Sequence, residues 1–122
     1  MARILIIDDS TFQRKIVASI LTADHHEVIA AADGREGLEA AKTQHPDLII
    51  TDLLMPDTDG FSFLKSVKAG GIGIPVLILT SDIQTATRDR CLALGAAGVL
   101  NKPVKRESLS EKVRQVLGAG NT

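Results

Sequence analysis

The sequence predicts a three-layer α/β/α sandwich built on a parallel sheet, and three observations predict it. Four short runs are almost wholly apolar: Ile4-Leu5-Ile6-Ile7, Leu48-Ile49-Ile50-Thr51, Val76-Leu77-Ile78-Leu79 and the shorter Val99-Leu100. Apolar runs of about this length, without polar alternation, read as strands covered on both faces, as the strands of a parallel sheet are. Helix-like stretches separate the runs, and alternation of strand and helix signals builds a sheet with helices packed on both sides. Third, each run ends in residues able to do chemistry: Asp8-Asp9, Asp52, Thr80-Ser81 and Asn101-Lys102-Pro103. Parallel strands point their carboxyl ends at one edge, where ligands bind, so these groups are expected to meet.

Each element has its own warrant. After the first strand, Ser10 is placed to cap a helix in which Phe12, Ile16 and Ile20 recur at four-residue spacing, with Val17 and Leu21 beside them. Residues 27–32 read as the second strand. Asp33-Gly34 opens a second helix, closed near His45 by Pro46. The third strand ends at Asp52. Gly60 precedes a helix carrying Phe61, Leu64 and Val67, stopped by Gly70-Gly71. Pro75 leads into the fourth strand. A fourth helix over 84–94 holds two modest helix formers, Thr85 and Thr87, and ends at Gly95. The last helix, over 107–117, bears the stripe Leu109, Val113, Val116 and Leu117. The tail from Gly118 to Thr122 is expected to fray.

At 122 residues the chain is read as one domain, 1–122, with no output domain beyond it. Hydrophobic and charged contents of 44% and 24% are those of a soluble globular protein. A net charge of −1 gives no electrostatic case for nucleic acid or for an anionic membrane. No apolar stretch has the length of a membrane span, and Met1-Ala2-Arg3-Ile4 enters a strand without a signal-peptide pattern. The single cysteine, Cys91, cannot form an internal disulfide, which suits a cytoplasmic protein, and its helical setting reads as that of a packed small residue.

Carboxylates crowded at one sheet edge repel unless a cation or proton sits among them. Hard oxygen donors favour Mg²⁺, which takes few protein carboxylates and keeps positions open for water and phosphate oxygens. If the first and third strands are neighbours, Asp8, Asp9 and Asp52 share one metal. The competing reading has Asp8 and Asp9 capping the first helix through its backbone N–H groups; it weakens once Asp52 arrives at the adjacent strand end. Asp52 is then either a ligand alone or also a nucleophile, since carboxylates attack phosphoryl groups to give aspartyl phosphates. Such transfer needs positioning and charge stabilisation around the phosphoryl group. Thr80 offers a hydroxyl for this and Lys102 an ammonium, with Pro103 fixing the loop behind it.

Taken together, Asp8-Asp9, Asp52 with Met55-Pro56 and Asp59-Gly60 behind it, Thr80-Ser81 and Lys102-Pro103 resemble the response-regulator receiver domains of two-component signalling, close to the stand-alone chemotaxis type. The resemblance covers essentially the whole chain and implies a flavodoxin-like sheet of order 2-1-3-4-5. It implies Asp52 as the phospho-acceptor, served by the phosphohistidine of a sensor histidine kinase or a phosphotransfer protein. It implies Mg²⁺ bound by Asp9, Asp52 and the backbone carbonyl of Leu54, with Asp8 acting mainly through a water. Lys102 pairs with the phosphoryl oxygens or, at rest, with Asp52; the Thr80 hydroxyl moves toward the phosphoryl group; residues 97–99 lie next to an output surface for an unidentified protein. A receiver is no enzyme beyond its own phosphorylation and dephosphorylation. The sequence departs from the family where many members carry an aromatic residue three positions before the lysine: here it is Val99, and the chain has no Tyr or Trp. That departure predicts coupling through Thr80, Ser81 and the fourth helix.

Three alternatives stand beside this reading. A haloacid-dehalogenase-type phosphatase also forms an aspartyl phosphate with Mg²⁺, but its D-x-D motif follows the first strand, where this chain has Asp8-Asp9-Ser10. A nucleotide- or flavin-binding module wants a Gly-rich or Ser/Thr-rich phosphate loop there, which the two aspartates oppose. A phosphate sink that drains a shared histidine kinase keeps the phosphorylation and drops the output.

Overall fold

The computed structural model of the chain describes residues 1–55 and 57–119. Five strands alternate with five helices within them: β1 (Arg3–Ile7), α1 (Thr11–Ala23), β2 (Glu27–Ala31), α2 (Gly34–Gln44), β3 (Leu48–Asp52), α3 (Gly60–Ala69), β4 (Val76–Thr80), α4 (Thr85–Ala93), β5 (Gly98–Asn101) and α5 (Arg106–Ala119). All pairings are parallel, and the order across the sheet is β2-β1-β3-β4-β5. The three-layer sandwich and its strand order are those expected.

The apolar runs sort by parity, because successive strand side chains point to opposite faces. Leu5, Ile7, Ile49 and Ile78 form one core with Phe63, Leu64, Val67 and Cys91 from α3 and α4. Ile4, Ile6, Leu48, Ile50, Leu77 and Leu79 form the other with Val17, Ile20 and Leu21 of α1 and Leu109 and Val113 of α5. Burial on both faces is why these strands carry no polar alternation. Cys91 is fully buried, and burial pushes its thiol above the usual range. Among the described residues no helix is long and apolar enough to cross a membrane.

Several local expectations are corrected. Phe12 is 71% exposed, because it lies nine residues, about two and a half turns, before Leu21 and so on the face of α1 opposite the buried Val17, Ile20 and Leu21. In α3 the buried positions are Gly60, Phe63, Leu64 and Val67, a full i, i+3, i+4, i+7 stripe. Phe61 flanks that stripe, and the guanidinium of Arg90 in α4 lies 3.9 Å from its ring centroid. Gly118 belongs to α5 instead of a frayed tail, while residues 120–122, like Pro56 of the Met55-Pro56 motif, lie outside the described residues.

Candidate functional site

Register brings the strand ends level. Ile7 lies opposite Thr51, Asp52 opposite Leu79, and Thr80 opposite Asn101. Main-chain bonds carry the ladder into the loops: the Asp8 N–H donates to the Ala31 carbonyl at 3.1 Å, and the Lys102 N–H donates to the Thr80 carbonyl at 2.8 Å. The peptide bond between Lys102 and Pro103 is cis. Asp8, Asp9, Asp52, Thr80 and Lys102 therefore gather at one edge although they span most of the chain.

Asp8, Asp9 and Asp52 each present a carboxylate oxygen within 4.8 Å of the others. Asp8 is buried and Asp9 exposed, with Asp52 between. The Lys102 ammonium lies 3.1 Å from Asp52 Oδ2 and 3.7 Å from Asp8 Oδ2. Burial pushes the Asp8 carboxyl above its ordinary value, and the neighbouring Asp52 and Asp9 charges push the same way. The Ser10 N–H, donating to Asp8 Oδ1 at 2.9 Å, and the Lys102 charge oppose the rise without cancelling it. One ammonium balances one of three carboxylates. An all-oxygen donor set with surplus negative charge fits a hard divalent cation.

The helix-capping reading is partly right for one of the two aspartates. Asp8 turns the chain into α1 through Ser10, whose own Oγ accepts the Gln13 N–H at 3.2 Å as the N-cap. The Asp9 side chain has no hydrogen-bond partner among the described residues, so capping does not account for it. Arg14 of α1, which sequence reasoning passed over, donates to the Asp8 carbonyl and ties helix to strand end.

Thr80 is buried, and its Oγ1 accepts the Asp82 N–H at 3.0 Å. The Asp82 carboxylate accepts from the Gln84 N–H at 2.9 Å and from Thr87 Oγ1 at 2.6 Å. The Thr87 hydroxyl, then the Gln84 N–H, holds the Asp82 carboxyl below the usual range. Asp82 thereby braces the start of α4 from outside it, where the N-cap residue Gln84 supplies no side-chain bond of its own. Leu54 follows Asp52 with its side chain 69% exposed. Val99, at the position where an aromatic is common, is buried in the core shared with Cys91.

Comparison with known proteins agrees with this arrangement. Residues 4–114 match the family model of the response regulator receiver domain. The chain is 34% identical to protein PilH of Pseudomonas aeruginosa over 119 residues, covering 96% of this chain and 98% of that one. The Vibrio cholerae chemotaxis protein CheY4 superposes with a TM-score of 0.89 at 37% identity, covering 95% of this chain and 98% of that one. A CheX-CheY-BeF3-Mg²⁺ complex from Borrelia burgdorferi gives a TM-score of 0.89 at 28% identity, over 93% and 87% of the two chains. The chain spans about half the length, 48%, of other curated relatives that it matches at 35% and 33% identity. The chain belongs to the response regulator receiver domain family, the phosphorylation-dependent switches of two-component signalling. Neither the phosphatase nor the nucleotide-binding alternative is favoured by these matches.

Proposed function

We propose that Asp52 is the phosphoryl acceptor and that Asp8, Asp9, Asp52 and the Leu54 carbonyl hold Mg²⁺ around it, with Asp8 acting through a water. The observation that carries this reading is the Lys102 ammonium paired with Asp52 at 3.1 Å beside two further carboxylates. When bound, Mg²⁺ supplies charge complementary to the oxygens of the transferred group. The chain's own part is positional. An Asp52 carboxylate oxygen attacks phosphorus, the P–N bond to the donor's phosphohistidine breaks, and the departing imidazole nitrogen keeps the electron pair and takes up a proton. Lys102 then passes from the Asp52 carboxylate to the phosphoryl oxygens. The Thr80 hydroxyl, which accepts the Asp82 N–H at rest, turns to donate to the same group.

The donor is a sensor histidine kinase or a phosphotransfer protein. Among the described residues, three of the five large exposed apolar side chains, Phe12, Leu54 and Ile83, follow β1, β3 and β4 at this edge. Exposed apolar surface beside a charged centre offers contact area to a protein donor that a small one does not use. The product acts through an altered protein partner.

The test is incubation with a small acyl phosphate and Mg²⁺. One hydroxylamine-labile phosphoryl group is expected per chain, and none on Asp52→Asn. Undiminished labelling of that variant overturns the assignment.

A further inference from the structure

We propose that Asp57 is a positioning residue for the metal site: it clips the loop between β3 and α3 to the N-terminus of α2 and thereby holds the Leu54 carbonyl in place. The inference rests on the metal set proposed above.

The loop has two anchors, one at its base and one at its far side. At the base, the Gly60 N–H donates to the Leu53 carbonyl at 2.6 Å, bringing the loop's ends together. The approach is so close that a Cβ on Gly60 would lie 2.9 Å from Leu53 Cδ1 and 3.0 Å from Leu53 Cα. At the far side, Asp57 Oδ1 accepts the Gly34 N–H at 3.2 Å and Oδ2 accepts the Arg35 N–H at 3.1 Å. Leu54 lies between the anchors, next but one to the acceptor.

The helix end is built to receive this clip. The first backbone N–H groups of a helix lack partners within it. In α2 the side chain of the N-cap Asp33 accepts only the Glu36 N–H, at 2.8 Å. Gly34 and Arg35 are left to a residue more than twenty positions away, a carboxylate on the favourable end of the helix dipole. A Cβ on Gly34 would lie 2.9 Å from Thr58 Cβ, so glycine is what lets the loop dock. The same contacts are visible in the titration of Asp57: slight burial raises its carboxyl, but N–H groups led by Arg35 and Gly34 outweigh this and hold it below the usual range. Asp57 is thus a fixed anion tying loop to helix, and it is not one of the three clustered carboxylates.

If Asp57 were only a cap for α2, its loss would resemble loss of the cap Asp33. If it positions the Leu54 carbonyl, breaking the clip will change metal affinity and loss of the Asp33 cap will not. Mg²⁺ is titrated into the wild-type chain and into Asp57→Ala, Asp57→Asn, Asp33→Ala and Gly34→Ala, with affinity read by calorimetry and by amide shifts of residues 53–55. Asp57→Ala is expected to weaken Mg²⁺ binding about tenfold, the low end for groups that orient a ligand from outside the coordination sphere. Asp57→Asn keeps one acceptor oxygen and falls between. Gly34→Ala, which reaches the loop from the helix side, weakens binding too, while Asp33→Ala leaves it unchanged. Unchanged affinity in Asp57→Ala, or an equal loss in Asp33→Ala, overturns the clip. Wild-type protein that binds no Mg²⁺ overturns the metal site and the clip together; wild-type binding with an unmoved Asp57→Ala overturns the clip alone.

Discussion

Thr87 donates its hydroxyl proton to the Asp82 carboxylate at 2.6 Å, and through that bond the first turn of α4 is fastened to the residue whose N–H holds Thr80. The chain Thr80–Asp82–Thr87 runs from the sheet edge into the helix without passing through β5. A switch needs a contact that differs between its two states. If the Thr80 hydroxyl turns toward a phosphoryl group as proposed, it would release the Asp82 N–H and disturb the start of α4. Val99 is buried and β-branched, with a stiff χ1 and little volume to relocate.

A phosphoryl mimic such as beryllofluoride is therefore expected to move amide shifts strongly over residues 80–90 and weakly in α5. In Thr87→Val the response should stop short of α4, while the shifts at Thr80 persist. Comparable changes running from Val99 through Val113 would mean that signal crosses β5 without an aromatic relay. Since the Asp82 carboxyl is held below its ordinary 3.8, the latch is complete at neutral pH and opens only as pH falls through the lower folded value.

Asp8 titrates in the opposite sense. Its folded pKa is raised, so the folded chain binds this proton more tightly than the unfolded chain and is penalised as pH rises from 3.8 through the raised value. Asp8→Asn keeps an oxygen for the Ser10 N–H and removes the charge. In metal-free buffer at neutral pH its melting temperature should equal or exceed that of the wild type. The gain should vanish in acid below 3.8, where Asp8 is protonated in both states. A gain that persists there would trace to packing instead.

Asp9→Ala separates metal binding from folding. The side chain is exposed and has no hydrogen-bond partner among the described residues, and it adds repulsion to its neighbours. Loss of Mg²⁺-dependent phosphorylation is expected, with metal-free stability unchanged or improved. A marked fall in melting temperature without Mg²⁺ would make Asp9 a structural residue.

Leu54 bears on lifetime. Its exposed apolar side chain stands two positions after Asp52, the proposed acceptor, and the carboxylate of Asp82 is committed to Thr87 and Gln84. Leu54→Asn replaces a water-excluding group with one that orients water, and should shorten the phosphorylated lifetime severalfold. A longer lifetime would show that Leu54 does not shield the phosphorus.

What the sequence made legible follows from how local each cause is. β1, β3 and β4 declared themselves because both their faces are buried, leaving nothing but apolar side chains. The grouping of Asp8, Asp9 and Asp52 followed from strand polarity, and the adjacency of β1 and β3 came from resemblance. Phe12 was misread because a four-residue spacing drifts around a helix of 3.6 residues per turn, and two such steps back from Ile20 carry it off the buried face. Phe63 was hidden behind a three-residue spacing that also fits Phe61. Asp57 escaped notice for a different reason: it serves a helix more than twenty positions away, and a contact at that distance leaves no pattern along the chain.

One consequence concerns α4. Cys91 is its only buried residue, and beyond that the helix is held by the Asp82 cap and the stacking of Arg90 on Phe61. An element anchored by so few contacts opens at low free-energy cost compared with the global unfolding of the sheet. A narrow gap between the two arrangements of a switching α4 is then expected, one that a phosphoryl group on Asp52 would need only a modest differential contact to bias. The same narrowness would set a floor on silence: without a phosphoryl group the chain would still visit the alternative arrangement thermally, at a population fixed by that gap.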